Sequence, residues 1–130
     1  MPNSVDDLNR VSNAVIGSAI EIHRLLGPGL LESAYRQCLA WELQQQQLIV
    51  EQEVLIPLKY KQLEVGNGYR VDILVEHELI VELKSVDVLL PIHHAQLLTY
   101  LKLTGFRLGL LLNFKVDVMR NGIKRIVNGL

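Results

Sequence analysis

Asp72 and, after nine intervening residues, the tripeptide Glu82-Leu83-Lys84 carry the residue types from which a hydrolytic site can be built. Carboxylates brought within a few ångströms of each other must share a proton or bind a cation. Such a pair is a natural seat for Mg²⁺, which takes a few acidic ligands and keeps several waters. An ammonium on the same face can orient an attacking water or stabilise negative charge growing on a phosphate. The question is whether the chain brings these groups together.

The surrounding pattern says that it does. YRVDILV and LIVELKS read as two strands joined by Glu76, His77 and Glu78. Antiparallel partners across that turn have numbers summing to 154, so Val75 faces Leu79, Ile73 faces Val81 and Val71 faces Leu83. That face is wholly apolar, and a slip of one residue would destroy it. The same arithmetic sets Asp72 opposite Glu82, and Arg70 opposite Lys84. Directly opposed side chains have Cβ atoms about 4.5–5.5 Å apart, and like charges there are destabilising. The plain alternative is an antiparallel sheet with one wet face, on which Glu82 and Lys84 only meet solvent. An ordinary wet face would sooner oppose Asp72 with a lysine.

Around this hairpin the chain lays out an α/β domain. Asn3 or Ser4 caps a first helix running to about Leu26, with Val11, Ala14, Val15, Ser18, Ile22 and Leu25 at helical steps. Gly27 and Pro28 stop it. A second helix covers about Leu30 to Gln47. VEQEVLIPLKY reads as a strand in which Pro57 marks an edge or a bulge, and a turn is expected at Gly66-Asn67-Gly68. A third helix spans roughly Pro91 to Leu103, with Pro91 in its first turn and Gly105 closing it. RLGLLLNF reads as a buried strand and IKRIVN as a short last one. The order is helix-helix-strand-strand-strand-helix-strand-strand.

Composition narrows the class. The 130 residues fit one domain, residues 1–130, and 49% hydrophobic against 21% charged supports a packed core. No apolar run approaches the roughly 18 residues needed to span a bilayer. MPNSVDDLNR lacks the pattern of a signal peptide. The single cysteine, Cys38, can form neither an internal disulfide nor a thiolate metal cluster. A cytoplasmic protein is expected. A net charge of −1 argues against a non-specific cationic coat for nucleic acid. Arg107, Lys115, Arg120, Lys124 and Arg125 gather late in the chain, a solvated face by the usual behaviour of scattered charge.

Three motifs in order resemble the PD-(D/E)XK nuclease superfamily. Asp72 with Glu82-Leu83-Lys84 matches its core pattern; Gly29 to Tyr35, GLLESAY, matches the G-x-x-E-x-x-Y signature of the small bacterial GxxExxY proteins; Gln96 to Tyr100, QLLTY, matches the Q-x-x-x-Y motif of RecB-like nucleases. The resemblance implies a restriction-endonuclease-like core, a mixed central sheet of four to five strands flanked by helices. It implies that Asp72, Glu82 and Glu32 hold Mg²⁺ or Mn²⁺, with the Leu83 carbonyl as a further ligand, and that Lys84 is the active-site lysine. Gln96 and Tyr100 would line the cleft and contact the phosphate backbone, with Tyr35 and His93 as further substrate-side candidates. The superfamily's usual proline before the first aspartate is Val71 here.

Helical spacing supports the transfer, since Glu32 and Tyr35, and His93, Gln96 and Tyr100, each share a helix face. Each residue also has a plainer reading. Tyr35 and Tyr100 suit a core edge, Glu32 suits a helix dipole, and His93 and His94 suit a helix start. His23 and His77 read as surface residues and Trp41 as core. The function expected is metal-dependent hydrolysis of phosphodiester bonds in nucleic acid, DNA rather than RNA by superfamily analogy. A homodimer or a protein partner is compatible with this reading. The alternative is a non-catalytic nucleic-acid-binding or protein-assembly module that keeps the fold.

Overall fold

The structure, a computed structural model, describes residues 4–130. Helix α1, Val5–Leu26, starts at a capping box in which the Ser4 hydroxyl accepts from the Asp7 amide and the Asp7 carboxylate accepts from the Ser4 amide. Asn3, the other cap candidate, lies outside the described residues. Gly27, at φ 72°, ends the helix. Its stripe of Leu8, Val11, Val15, Ala19 and Ile22 is buried.

Helix α2, Glu32–Gln45, begins later than its hydrophobic pattern suggests. The cause is Tyr35, whose hydroxyl donates to the Gly27 carbonyl and accepts from the Leu30 amide, holding residues 27–30 as a loop.

Five strands follow in one sheet, in the order β1-β2-β3-β4-β5: β1, Val50–Tyr60; β2, Leu63–Val75; β3, Leu79–Lys84; β4, Leu108–Asn113; β5, Ile123–Val127. All neighbours are antiparallel except β3 and β4, which run parallel because helix α3, Pro91–Thr104, carries the chain across between them. Helices α1 and α2 cover one face of the sheet, packing on Ile73, Val75, Val81, Leu83 and Leu110. Helix α3 covers the other, packing on Leu74, Ile80 and Leu111. Strands buried on both faces explain the continuous apolar runs of β3 and β4.

Three expectations are corrected here. The turn between β1 and β2 falls at Lys61 and Gln62, and Gly66-Asn67-Gly68 lies inside β2. The three residues are taken up where the register shifts between Ile56 and Leu58, around Pro57 of the edge strand β1. Glycine is needed at Gly68, where a Cβ would stand 2.5 Å from the Ile56 carbonyl oxygen. His23 is buried rather than a surface residue, its Nε2 lying 2.7 Å from the Val116 carbonyl oxygen. Trp41 is 58% exposed, because α2 turns that side away from the sheet. The aromatic packing against the core comes instead from Phe114, stacked on Tyr35 at 4.2 Å between ring centroids.

Truncating these two large side chains should therefore give opposite results. Phe114→Ala is expected to lose about 3–5 kcal/mol, as for a fully buried ring. Trp41→Ala should stay within about 0.5 kcal/mol. Urea unfolding followed by circular dichroism reads both, and equal losses would mean that Trp41 is packed after all.

Candidate active site

The β2–β3 ladder pairs Val75 with Leu79, Leu74 with Ile80 and Ile73 with Val81, the register read from the hairpin turn. There it ends. The next two residues, Asp72 and Glu82, replace main-chain pairing with two crossed bonds from backbone to side chain. The Asp72 amide donates to Glu82 Oε1 at 3.0 Å, and the Leu83 amide donates to Asp72 Oδ2 at 2.8 Å. Each carboxylate thus occupies an amide that the neighbouring strand leaves unpaired.

On its other edge β2 is disturbed at the same level. Glu53, between the pairs Gln52–Ile73 and Val54–Val71, has φ 52°, a conformation costly for a residue with a Cβ. Past this point the strand changes face. Val71 packs with Leu74 and Ile80 under α3, not with Ile73 and Val75 as strict alternation requires. Arg70 and Lys84 are accordingly not paired across the ladder among the described residues.

Glu82 is 6% exposed. Burial first, then the charge of Asp72, pushes its carboxyl up to about 8, and Lys84 pulls only weakly in the other direction. Two acids that resist joint ionisation fit a hard divalent cation, which would let both stay charged. Glu32 does not complete the centre as expected. Among the described residues no three His, Cys, Asp or Glu side chains are grouped to hold a metal. The cause is local, for Glu32 Oε1 accepts from the Ser85 amide at 3.1 Å. It nevertheless borders the same cavity as Asp72, about 490 Å³, with Arg36 and Ser85 also in its wall.

Lys84, the last residue of β3, opens on the α3 side into a second cavity of about 620 Å³, together with His93, Gln96 and Tyr100. Gln96 precedes Tyr100 by one turn of α3, and the Tyr100 hydroxyl is held above its usual pKa by burial first and by the charge of Glu82 second, with Gln96 pulling the other way. His93 Nδ1 accepts from the Leu90 amide at 3.0 Å, so the residue caps α3 as well as bordering the cavity. Tyr35 is placed outside both cavities. Its ring is 0% exposed and its hydroxyl is spent on Gly27 and Leu30, so its substrate-side role is withdrawn. Leu83 buries its side chain beneath the acid pair.

Sequence reading missed three residues. Arg36, one turn beyond Glu32, is bonded to Gln52 and paired with Glu53 at 3.6 Å; helical spacing alone could have found it. Asn113, beside Lys84 in the parallel pair, accepts from the Val86 amide and donates to the Val86 carbonyl, fixing the chain just after the lysine. Tyr69 contacts Tyr100 with ring centroids 5.9 Å apart. Nothing in a lone tyrosine or asparagine announces such roles.

A family model described as the PD-(D/E)XK nuclease superfamily matches residues 9–126. The chain belongs to the PD-(D/E)XK nuclease superfamily. No curated protein and no solved structure matches it. Nucleases of the PD-(D/E)XK superfamily typically use divalent metal ions, and the fold found here, a mixed sheet between helices, is consistent with theirs. No helix among the described residues is long and apolar enough to cross a membrane.

The acid pair has a measurable signature without metal. Below about pH 4.5 Glu82 is protonated folded or unfolded and costs the fold nothing. Between the unfolded value of 4.5 and the folded value of about 8, the native protein keeps a proton that the unfolded chain releases. Stability contributed by this group therefore falls as pH rises through that window and levels off above it. In EDTA, Glu82→Gln should flatten that part of the melting-temperature profile; an unchanged slope would show that Glu82 ionises freely in the folded protein.

Proposed function

We propose that the protein is a divalent-metal-dependent nuclease, a single-domain cytoplasmic enzyme of the GxxExxY type acting on DNA rather than RNA. The observation that carries the reading is the crossed Asp72–Glu82 pair at the end of the ladder, with Lys84 two residues beyond Glu82 on the same strand. Asp72 and Glu82, with the Leu83 carbonyl, would hold Mg²⁺ or Mn²⁺. Glu32 would join them on leaving Ser85. When bound, the ion lowers the pKa of a coordinated water and offsets charge on the scissile phosphate.

The protein groups have separable tasks. Lys84 presents its ammonium where a phosphate oxygen gains charge, or holds the attacking water in line. Gln96 and Tyr100 receive the strand on the α3 side, and Arg36 supplies a planar donor on the α2 side, suited to phosphate.

One observation favours the second reading, a non-catalytic nucleic-acid-binding or assembly module, alone or as a homodimer. Glu32 is engaged by the backbone, leaving a pair of acids rather than three. Against it stands the intact set of Asp72, Glu82 and Lys84, of which a decayed site would be expected to lose at least one.

A cleavage assay on labelled single-stranded, duplex and branched DNA and RNA separates the two. With Mg²⁺ or Mn²⁺ the wild type should cut, and Lys84→Ala should cut at least about 100-fold more slowly. That variant should keep its stability to within about 0.5 kcal/mol. Either ion should also raise the melting temperature, and Asp72→Asn should cancel the rise. A fully active Lys84→Ala protein removes the mechanism, and an equal thermal response in Asp72→Asn puts the metal elsewhere.

A further inference from the structure

The cavity beside Lys84 is more than a bed for phosphates. Beside Lys84 of β3, its walls come from two elements: Leu58 and Tyr69 from the β1–β2 hairpin, Gln96, Thr99 and Tyr100 from α3. Tyr69 is 48% exposed, whereas Tyr100 beneath it is nearly buried, so the accessible ring is that of Tyr69. Much of the wall is apolar and aromatic, and the polar groups set into it are the Lys84 ammonium, the Gln96 amide, the His93 imidazole and the hydroxyls of Thr99, Tyr69 and Tyr100. A phosphate, small and strongly hydrated, has no use for apolar walls. A nucleobase has two apolar faces and a rim of donors and acceptors, which this arrangement complements.

We propose that this cavity receives an unpaired nucleobase next to the scissile phosphate, so that the substrate is a single strand or an unpaired end. The inference rests on the nuclease reading above and narrows its substrate. A base inside a duplex stack cannot enter a side pocket without being extruded, at a cost that an unpaired base does not bear. At about 620 Å³ the cavity has the size of an ordinary small-ligand pocket. The hairpin wall is also well fixed. Tyr69 pairs with Ile56, and the backbone of Gly68 lies so close to the Ile56 carbonyl that no side chain fits between them. The register shift at Pro57 then places Leu58, paired with Val65, on the cavity side. Tyr69 is the stacking platform, and Gln96 and Thr99 meet the edge of the base.

Fluorescence anisotropy on the Lys84→Ala protein in Mg²⁺, where cutting is slowed at least about 100-fold, tests this with three labelled DNAs. They are a mixed-sequence single strand, the same strand with a run of abasic sites, and its blunt duplex. The ordinary strand should bind roughly tenfold more tightly than the abasic one, from the stacking of one base on an aromatic ring. It should exceed the blunt duplex as well. Tyr69→Ala should bring the ratio of ordinary to abasic strand close to one, and Tyr69→Phe should preserve it. Equal binding of ordinary and abasic strands, equal or tighter binding of the duplex, or a ratio untouched by Tyr69→Ala overturns the base pocket. That result leaves the nuclease reading standing if the wild type still cuts DNA and Lys84→Ala does not. A protein that binds none of the three DNAs and cuts nothing overturns both.

Discussion

Two hydrogen bonds organise this molecule's chemistry: the Asp72 amide to Glu82, and the Leu83 amide to Asp72. They lie where a β-ladder stops, and that position is a physical requirement. Within a ladder every amide is already committed to a neighbouring carbonyl. At its end the amides are free, and burying them unpaired would be costly. Carboxylates that accept from those amides solve this problem for the backbone, and the same bonds lock the two acids against each other. The fold therefore assembles the pair as part of terminating its sheet.

The two sides of the sheet then take different shares of the work. On the α2 side, Glu32, Arg36 and Ser85 surround Asp72. On the α3 side, Lys84 shares its cavity with Gln96 and Tyr100. The face change of β2 at Asp72 is what allows one strand end to serve both cavities. With strict alternation Val71 would lie with Ile73 under α1 and α2. Displaced as it is, Val71 packs under α3, and Asp72 can face the α2 cavity while Glu82 acts on Tyr100. The parallel pairing of Lys84 with Asn113 fixes the remaining degree of freedom, because Asn113 holds Val86 from both its amide and its carbonyl.

Much of this was legible in the sequence, for reasons that differ by residue. The hairpin register followed from turn length and an apolar face, both local, and it held as far as Ile73–Val81. The helices were legible from period and from caps such as Ser4, Gly27 and Gly105. The Gly66-Asn67-Gly68 segment misled because glycine signals conformational freedom without saying whether a turn or a bulge uses it. Trp41 misled because hydrophobicity gives no direction on a helix with little amphipathic pattern. Tyr35 misled differently: it works by holding the loop before α2, which in turn sets where Glu32 begins the helix. Arg36 could have been found from its helical spacing to Glu32, but Asn113 and Tyr69 were out of reach because their importance lies in partners distant in sequence, Asn113 holding Val86 and Tyr69 meeting Tyr100 across the cleft.

The acid pair is also a burden, and the surrounding structure is arranged to bear it. A buried carboxylate, Glu82, held against the half-buried Asp72 would tend to force the strands apart. Immediately below them stand Ile73, Val75, Leu79 and Val81, each at 0% exposure and covered by α1 and α2. Such a cluster cannot yield without opening cavities, which close-packed interiors resist. Repulsion is therefore confined to the end of the ladder, where it appears as the raised proton affinity of Glu82 rather than as disorder. A site that needs a cation to ionise fully is one that a cation can organise, and the rigidity of the apolar layer beneath is what keeps that demand directed at the ligand instead of at the fold.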